Sequence, residues 1–188
     1  AESRAALDQQ AEWDDDSASL QWLSSYAASH NIWLMAGSLF IRRRADSKLV
    51  NRCSLITPDG MVAAHYDKIH MFDADVGDGQ SYRESASFAA GDTSATATVD
   101  DITLGLTICY DIRFPHLYRR LATDGAAVLS TPAAFTYDSG RAHWHVLQRA
   151  RAIENGCYVI APAQCDTHAD GRRTYGHAMI ISPWGEIL

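Results

Sequence analysis

A chain of 188 residues suits one domain with a sizeable core and leaves little room for two. Its 47% apolar and 21% charged residues are ordinary for a globular protein, which excludes disordered and fibrous classes. The formal net charge of −7 argues against a nucleic-acid surface, and no apolar run is long enough to cross a bilayer.

The first 17 residues are polar and acidic, and Asp14, Asp15 and Asp16 suit the mouth of a helix. Ser17 or Ser19 supplies its cap, and Leu20, Leu23, Tyr26 and Ala27 recur at helical spacing until His30 and Asn31 end the pattern. The nearly continuous apolar run 32–41 is too short and too rich in β-formers for a core helix, so a buried strand is predicted. Arg42, Arg43 and Arg44 follow it and read as a solvated loop face.

Residues 54–57 and 61–66 are predicted strands around the tight turn Pro58-Asp59-Gly60. Residues 73–95 form a long loop rich in Asp, Gly and Ser, a kind of segment that is more often functional than not. A second hairpin turns at Asp100-Asp101 and runs through 102–108 into Cys109. Beyond it the pattern predicts a helix over 115–123, a strand over 126–130 and a helix over 141–155. Strands follow over 157–163 and 177–182, before the turn Pro183-Trp184-Gly185. Hairpins mixed with βαβ-like crossovers imply a layered α/β fold with a mixed sheet.

Four cysteines without CxxC spacing point to reduced thiols in a cytoplasm rather than a disulfide framework or zinc knuckle. Cys109 lies between a strand end and a helix start, where unpaired backbone N–H groups favour thiolate and can donate to an oxyanion. Taken alone, a buried cysteine is usually inert, Lys68 after a strand is usually a surface residue, and Glu84 in a loop is usually solvated. His143 and His145 face apart on one helix, and His65 and His70 lack a partner at ligand spacing, so no metal is expected. Arg149, Arg151 and Glu154 read as structural helix charges, with Glu154 reaching Arg151 three residues back.

The segments Lys68-Ile69-His70-Met71-Phe72-Asp73, Tyr82-Arg83-Glu84-Ser85 with Gly91-Asp92, and Cys109-Tyr110-Asp111-Ile112-Arg113-Phe114-Pro115 resemble consecutive motifs of the carbon–nitrogen hydrolase (nitrilase) superfamily. Pro132-Ala133-Ala134-Phe135-Thr136, the run from Arg149 to Asn155, and Tyr175-Gly176-His177 with Pro183-Trp184-Gly185 extend the match, in order, from about Trp33 to the last residue. The resemblance implies an αββα sandwich with Cys109 as nucleophile. Lys68 and the Tyr110 N–H would stabilise the oxyanion, and Glu84 would position the lysine and the substrate. Ala134 and Phe135 become candidates for the substrate wall, a plain core role being equally open for Phe135. Asp111 and Arg113 are expected to brace the nucleophile turn. Cysteine suits acyl transfer because its thioester splits amide cleavage into two easier steps.

The residues after Cys109 are similar to the ω-amidase and deaminated-glutathione amidase branch, which implies a small carboxylic acid bearing a primary amide as substrate and no cofactor. Ala161-Pro162-Ala163-Gln164-Cys165 with His168 leans to the deaminated-glutathione type. Departures are His116 where glutamate is common, and Asp166 and Ala178 in place of Gly and Ser. The family's general base is a glutamate in a Pro-Glu motif, and none occurs here; Glu2 and Glu12 lie in polar sequence. Residues 1–188 are therefore expected to be a partial hydrolase domain, incomplete at both ends, and inactive and poorly soluble when expressed alone. A carbamoylase or nitrilase, or a catalytically silent member acting by dimerisation or ligand binding, are the alternatives. A homodimer or higher homo-oligomer paired through the helices near 113–124 and 141–155 is implied, with no nucleic-acid or membrane partner.

Overall fold

Ser17 begins the first layer of the computed structural model, which describes residues 9–75 and 81–188. Its hydroxyl accepts the Leu20 N–H at 3.0 Å, capping helix α1 (Ala18–His30), and Asn31 closes the helix in the left-handed conformation. The Glu12 carboxylate gathers the Ser17 hydroxyl and both the N–H and hydroxyl of Ser19 at that helix start. Burial works to raise the Glu12 carboxyl, but the two serine hydroxyls and the Ser19 N–H outweigh it and hold it below its ordinary value. Glu12 is thus spent on capping; Glu2 lies outside the described residues.

Helix α1 lies over a four-stranded sheet of order β1-β2-β3-β4, made of Glu12–Trp13 (β1), Leu34–Arg42 (β2), Leu49–Ile56 (β3) and Val62–Asp67 (β4). β1 runs parallel to β2, and the other pairs are antiparallel. Asp73–Asp75 (β5) and Ser81–Arg83 (β6) form a small hairpin. Ala95–Val99 (β7) and Ile102–Leu106 (β8) open the second sheet, which continues through Val128–Ser130 (β9) and Tyr158–Ala161 (β10). Cys165–Thr167 (β11) and Arg173–Tyr175 (β12) pair apart from it, and Met179–Ile181 (β13) completes the order β13-β10-β9-β8-β7.

Two crossover units build that second sheet, because β8, β9 and β10 are parallel and joined by Pro115–Thr123 (α2) and Tyr137–Asn155 (α3). Pro115 at the first position of α2 and Gly156 in the left-handed cap after α3 fix the ends of these helices. The layers are therefore α1, sheet, sheet, and α2 with α3: the αββα sandwich expected from the sequence. Cys53 and Tyr66 of the first sheet share one core with Leu106, Ile108, Leu129, Val159 and Ile181, and with Tyr118, Leu121 and Trp144 of the helices. Each such apolar side chain contributes about 1.5–3 kcal/mol on burial.

Several elements differ from the sequence expectation. β2 is only partly buried, since a register shift between Ala36 and Leu39 breaks its alternation and leaves Ser38 exposed. A Cβ on Gly37 would lie 3.2 Å from that of Pro132, so the bulge lets the strand approach the segment beside Cys109. β3 starts at Leu49 rather than 54, because Asn51 and Arg52 mask a strand whose other residues are buried. Helix α3 starts at Tyr137 rather than 141, and the later strands are trimmed to β9, β10 and β13. The long loop 73–95 carries β5, β6 and a 3₁₀ turn at Glu84–Ala86. Strands β1, β11 and β12 have no apolar alternation and were not expected. Asp166, where the family favours glycine, has φ +77°, the conformation a glycine adopts freely, and its Oδ1 accepts the Thr167 N–H at 2.8 Å. The arginine run is less solvated than expected: Arg43 pairs with Asp46, and Arg44 pairs with Asp15 while lying 4.0 Å over the Trp13 ring. No helix among the described residues is long and apolar enough to cross a membrane.

Candidate active site

Strand β8 ends at Leu106, and the next residues turn sharply. Thr107 is fully buried and donates to Ser130 O at 2.6 Å, which ties the strand end to β9. Ile108 is extended, and Cys109 then takes φ +47° as the first residue of a 3₁₀ turn, Cys109–Arg113. A non-glycine residue in that region is strained and persists only where its surroundings enforce it. Here they do: Cys109 N–H donates to Pro132 O at 2.9 Å, and Arg151, buried on α3, donates from Nε (2.9 Å) and Nη2 (2.6 Å) to Ile112 O. Arg151 also pairs with Glu154 at 2.7 Å, as the helix spacing implied.

Burial pushes the Cys109 thiol up, and the carboxylates of Glu84 and Asp111 add to that; the Lys68 ammonium and a hydrogen bond from the Ala134 N–H pull it down without overcoming burial. The turn therefore holds a thiol that needs a base, with the Lys68 charge and the Ala134 N–H acting to lower it.

Lys68 follows β4 and is only 3% exposed. Its N–H donates to Asn51 O (2.9 Å), its carbonyl accepts the Gly91 N–H (2.8 Å), and Nζ meets Glu84 Oε2 at 2.5 Å. Gly91 is there because a Cβ would stand 2.2 Å from Asp67 O. Glu84 in turn accepts the Phe72 N–H at 2.7 Å and the Asn51 Nδ2–H at 3.3 Å, so both ends of the ion pair are fixed by backbone. The long loop thus earns its length by delivering Glu84.

Aromatic rings cluster around the nucleophile turn. Phe72 packs against Tyr82 and Tyr110, both at 4.9 Å, and Tyr110 meets Phe114 edge-on at 5.6 Å. His116 stands edge-on to His70 and Phe114. Phe135 is 4% exposed and packs on Trp144 at 5.2 Å, with the Arg113 guanidinium 5.4 Å from its ring. Arg113 also contacts His143 at 3.2 Å. The structure thus brings Cys109, Lys68, Glu84, Tyr110 and Ala134 together and sets Phe135 in the core beside them. His143 and His145 face different neighbours, Arg113 and His177 respectively. Among the described residues no group of three or more His, Cys, Asp or Glu is placed to hold a metal.

Sequence reasoning missed Asn51 and Tyr66, and it quoted Gly91 and His70 within motifs, without their roles around Lys68. The model of the carbon–nitrogen hydrolase family matches residues 2–188. The chain belongs to the carbon–nitrogen hydrolase family. A deaminated glutathione amidase of Synechocystis sp. is 48% identical over 171 residues, which cover 89% of this chain and 63% of that protein. The omega-amidase of Homo sapiens is 38% identical over 170 residues, 90% of this chain and 61% of its own. The crystal structure of the C. elegans NitFhit protein superposes with a TM-score of 0.84 at 38% identity, over 98% of this chain and 43% of that one. The chain spans less than two thirds of the length of these carbon–nitrogen hydrolase relatives.

Proposed function

We propose that this chain carries the nucleophile side of an amidase acting on a small carboxylic acid bearing a primary amide, of the ω-amide or deaminated-glutathione type. The observation that supports it is the convergence of the Lys68 ammonium and a backbone N–H on a cysteine held at φ +47°. In this reading Cys109 Sγ attacks the carbonyl carbon as its proton passes to a base. The oxyanion is held by Lys68 Nζ and the Tyr110 N–H. Collapse breaks the C–N bond as the base returns that proton to the leaving nitrogen, so ammonia departs and leaves a thioester that water opens to the acid. Glu84 keeps Lys68 in place, while Ala134 and Phe135 border the acyl group.

Incubation of a protein that joins these residues to the family's general-base glutamate with a monoamide of a small dicarboxylic acid is expected to release ammonia and to leave, after acid quench, an acyl adduct on Cys109 by mass spectrometry. Cys109→Ala abolishes both. Ammonia release that survives Cys109→Ala overturns the proposal. The raised Cys109 thiol favours one second reading, a catalytically silent member; a chain that binds the amide with neither ammonia nor adduct supports it.

Self-association belongs to the same reading. Val146 (68% exposed) and Ile153 (54%) lie seven residues apart on one stripe of α3, next to Trp184 (83%). A dimer joined through α2 and α3 would cover them. Light scattering after size exclusion is expected to give twice the chain mass, reduced to one by Val146→Glu with Ile153→Glu; a monomeric parent refutes it. The four thiols, all free in the structure, fit a reducing cytoplasm.

A further inference from the structure

Tyr66 and His70 flank Lys68 two residues to either side, and both end on one carboxylate. Asp111 Oδ2 accepts the Tyr66 Oη–H at 2.8 Å and the Ile108 N–H at 2.8 Å. Its Oδ1 accepts the His70 N–H at 3.1 Å and the His70 ring Nδ1–H at 2.7 Å. A carboxylate acceptor requires that the ring proton sit on Nδ1. Asp111 is fully buried and stands two residues after Cys109, while Ile108 stands one before it. Tyr66 Oη also accepts the Ile69 N–H at 3.2 Å, and the His70 ring is stacked on Phe114 at 3.6 Å and 10°.

The geometry points to Asp111 as a positioning residue: its carboxylate clamps the chain on both sides of Lys68 to the turn that carries Cys109, and so sets the distance from the lysine ammonium to the sulfur. Among the described residues Glu84 bonds Lys68 but not the turn, and Arg151 holds the turn at Ile112 O, so Asp111 is the side chain that bonds both segments. The inference rests on the reading of Cys109 and Lys68 given above and adds to it a residue that touches neither substrate nor sulfur. A displacement of about 1 Å at a reacting pair typically costs about 10²-fold in rate, so a clamp that touches nothing reactive still matters.

The test is the rate at which iodoacetamide alkylates Cys109, followed by peptide mass spectrometry so that the other three thiols are counted separately. Asp111 itself is a poor first variant, because removing its negative charge also lowers the thiol directly. Lys68→Met is expected to slow Cys109 about tenfold, as thiolate fraction falls tenfold for each unit the thiol rises. Tyr66→Phe and His70→Leu are expected to slow it about threefold without changing any charge that faces the sulfur. His70→Asn, whose Nδ2–H replaces the ring donor, restores the parent rate. The double variant Lys68→Met with His70→Leu should be no slower than Lys68→Met alone, since the clamp acts through the lysine.

Fully multiplicative effects in the double variant, or parent rates in both Tyr66→Phe and His70→Leu while Lys68→Met is slow, overturn the clamp and leave the Cys109–Lys68 reading standing. A parent rate in Lys68→Met overturns that reading and the clamp with it. Thermal melts identify any variant that is unfolded, and Tyr66→Phe, which removes one hydroxyl, keeps the comparison available if His70→Leu does not fold.

Discussion

Glu84→Ala is expected to lower the unfolding free energy by about 3–5 kcal/mol in urea denaturation, more than any other single truncation of a polar residue in the site. Lys68 is 3% exposed, so its ammonium has little water to fall back on, and Glu84 Oε2 at 2.5 Å is its counter-charge. The same carboxylate oxygen takes the Phe72 N–H, and the other takes an Asn51 amide hydrogen. Alanine therefore strands a buried cation and a backbone donor at once. Lys68→Met should lose less, about 1–2 kcal/mol. It replaces the cation by an apolar chain of similar length, and the Glu84 it leaves behind is partly reached by solvent (side chain 15% exposed). The order of the two losses is the diagnostic. If Glu84→Ala loses under about 1 kcal/mol, the pair behaves as an exposed one and the lysine is better hydrated than its burial says.

That asymmetry also shows what could be read from the chain alone. Periodicity located α1, α2 and the hairpin at Asp100-Asp101, because each is bounded by a cap, a proline or a turn pair and buries one face. It found Cys109 as a residue between strand and helix, and motif order attached Lys68 and Glu84 to it. What stayed hidden is written in long-range polar pairing. Asn51 and Arg52 look like loop residues until Glu84 and Asp67 are seen opposite them. The hairpin of β11 and β12 has no apolar run and is held by backbone bonds to the segment around Phe135 together with the Tyr175 ring, which packs against the core. Asp111 was read as a brace for its own turn; the partners that make it more than that lie 41 and 45 residues away. A pattern of period 2 or 3.6 carries no information about such pairs. Arg151 is the converse case, since its i,i+3 partner Glu154 was legible while its bonds to Ile112 O were not.

Gln148→Leu is expected to stabilise the protein by about 2 kcal/mol, a rise in melting temperature of roughly 4–8 °C for a chain of this size. Gln148 is fully buried on the face of α3 that also carries Trp144, Arg151 and Ala152. Neither its Oε1 nor its Nε2 has a hydrogen-bond partner among the described residues. Desolvating an amide without a partner costs about 1–3 kcal/mol, whereas leucine fills a similar volume and adds apolar burial. Gln148→Ala separates the two contributions: it also removes the orphan amide but opens a cavity, so it should come out less stable than Gln148→Leu by about 2–4 kcal/mol. The gain should stay local to α3. Arg151 sits one turn further on and holds Ile112 O, so a leucine that packs without shifting the helix leaves Cys109 alkylation at the parent rate. A Gln148→Leu chain that melts lower than the parent would mean the amide is satisfied by an internal water, and a crystal structure would show that water bonded to it.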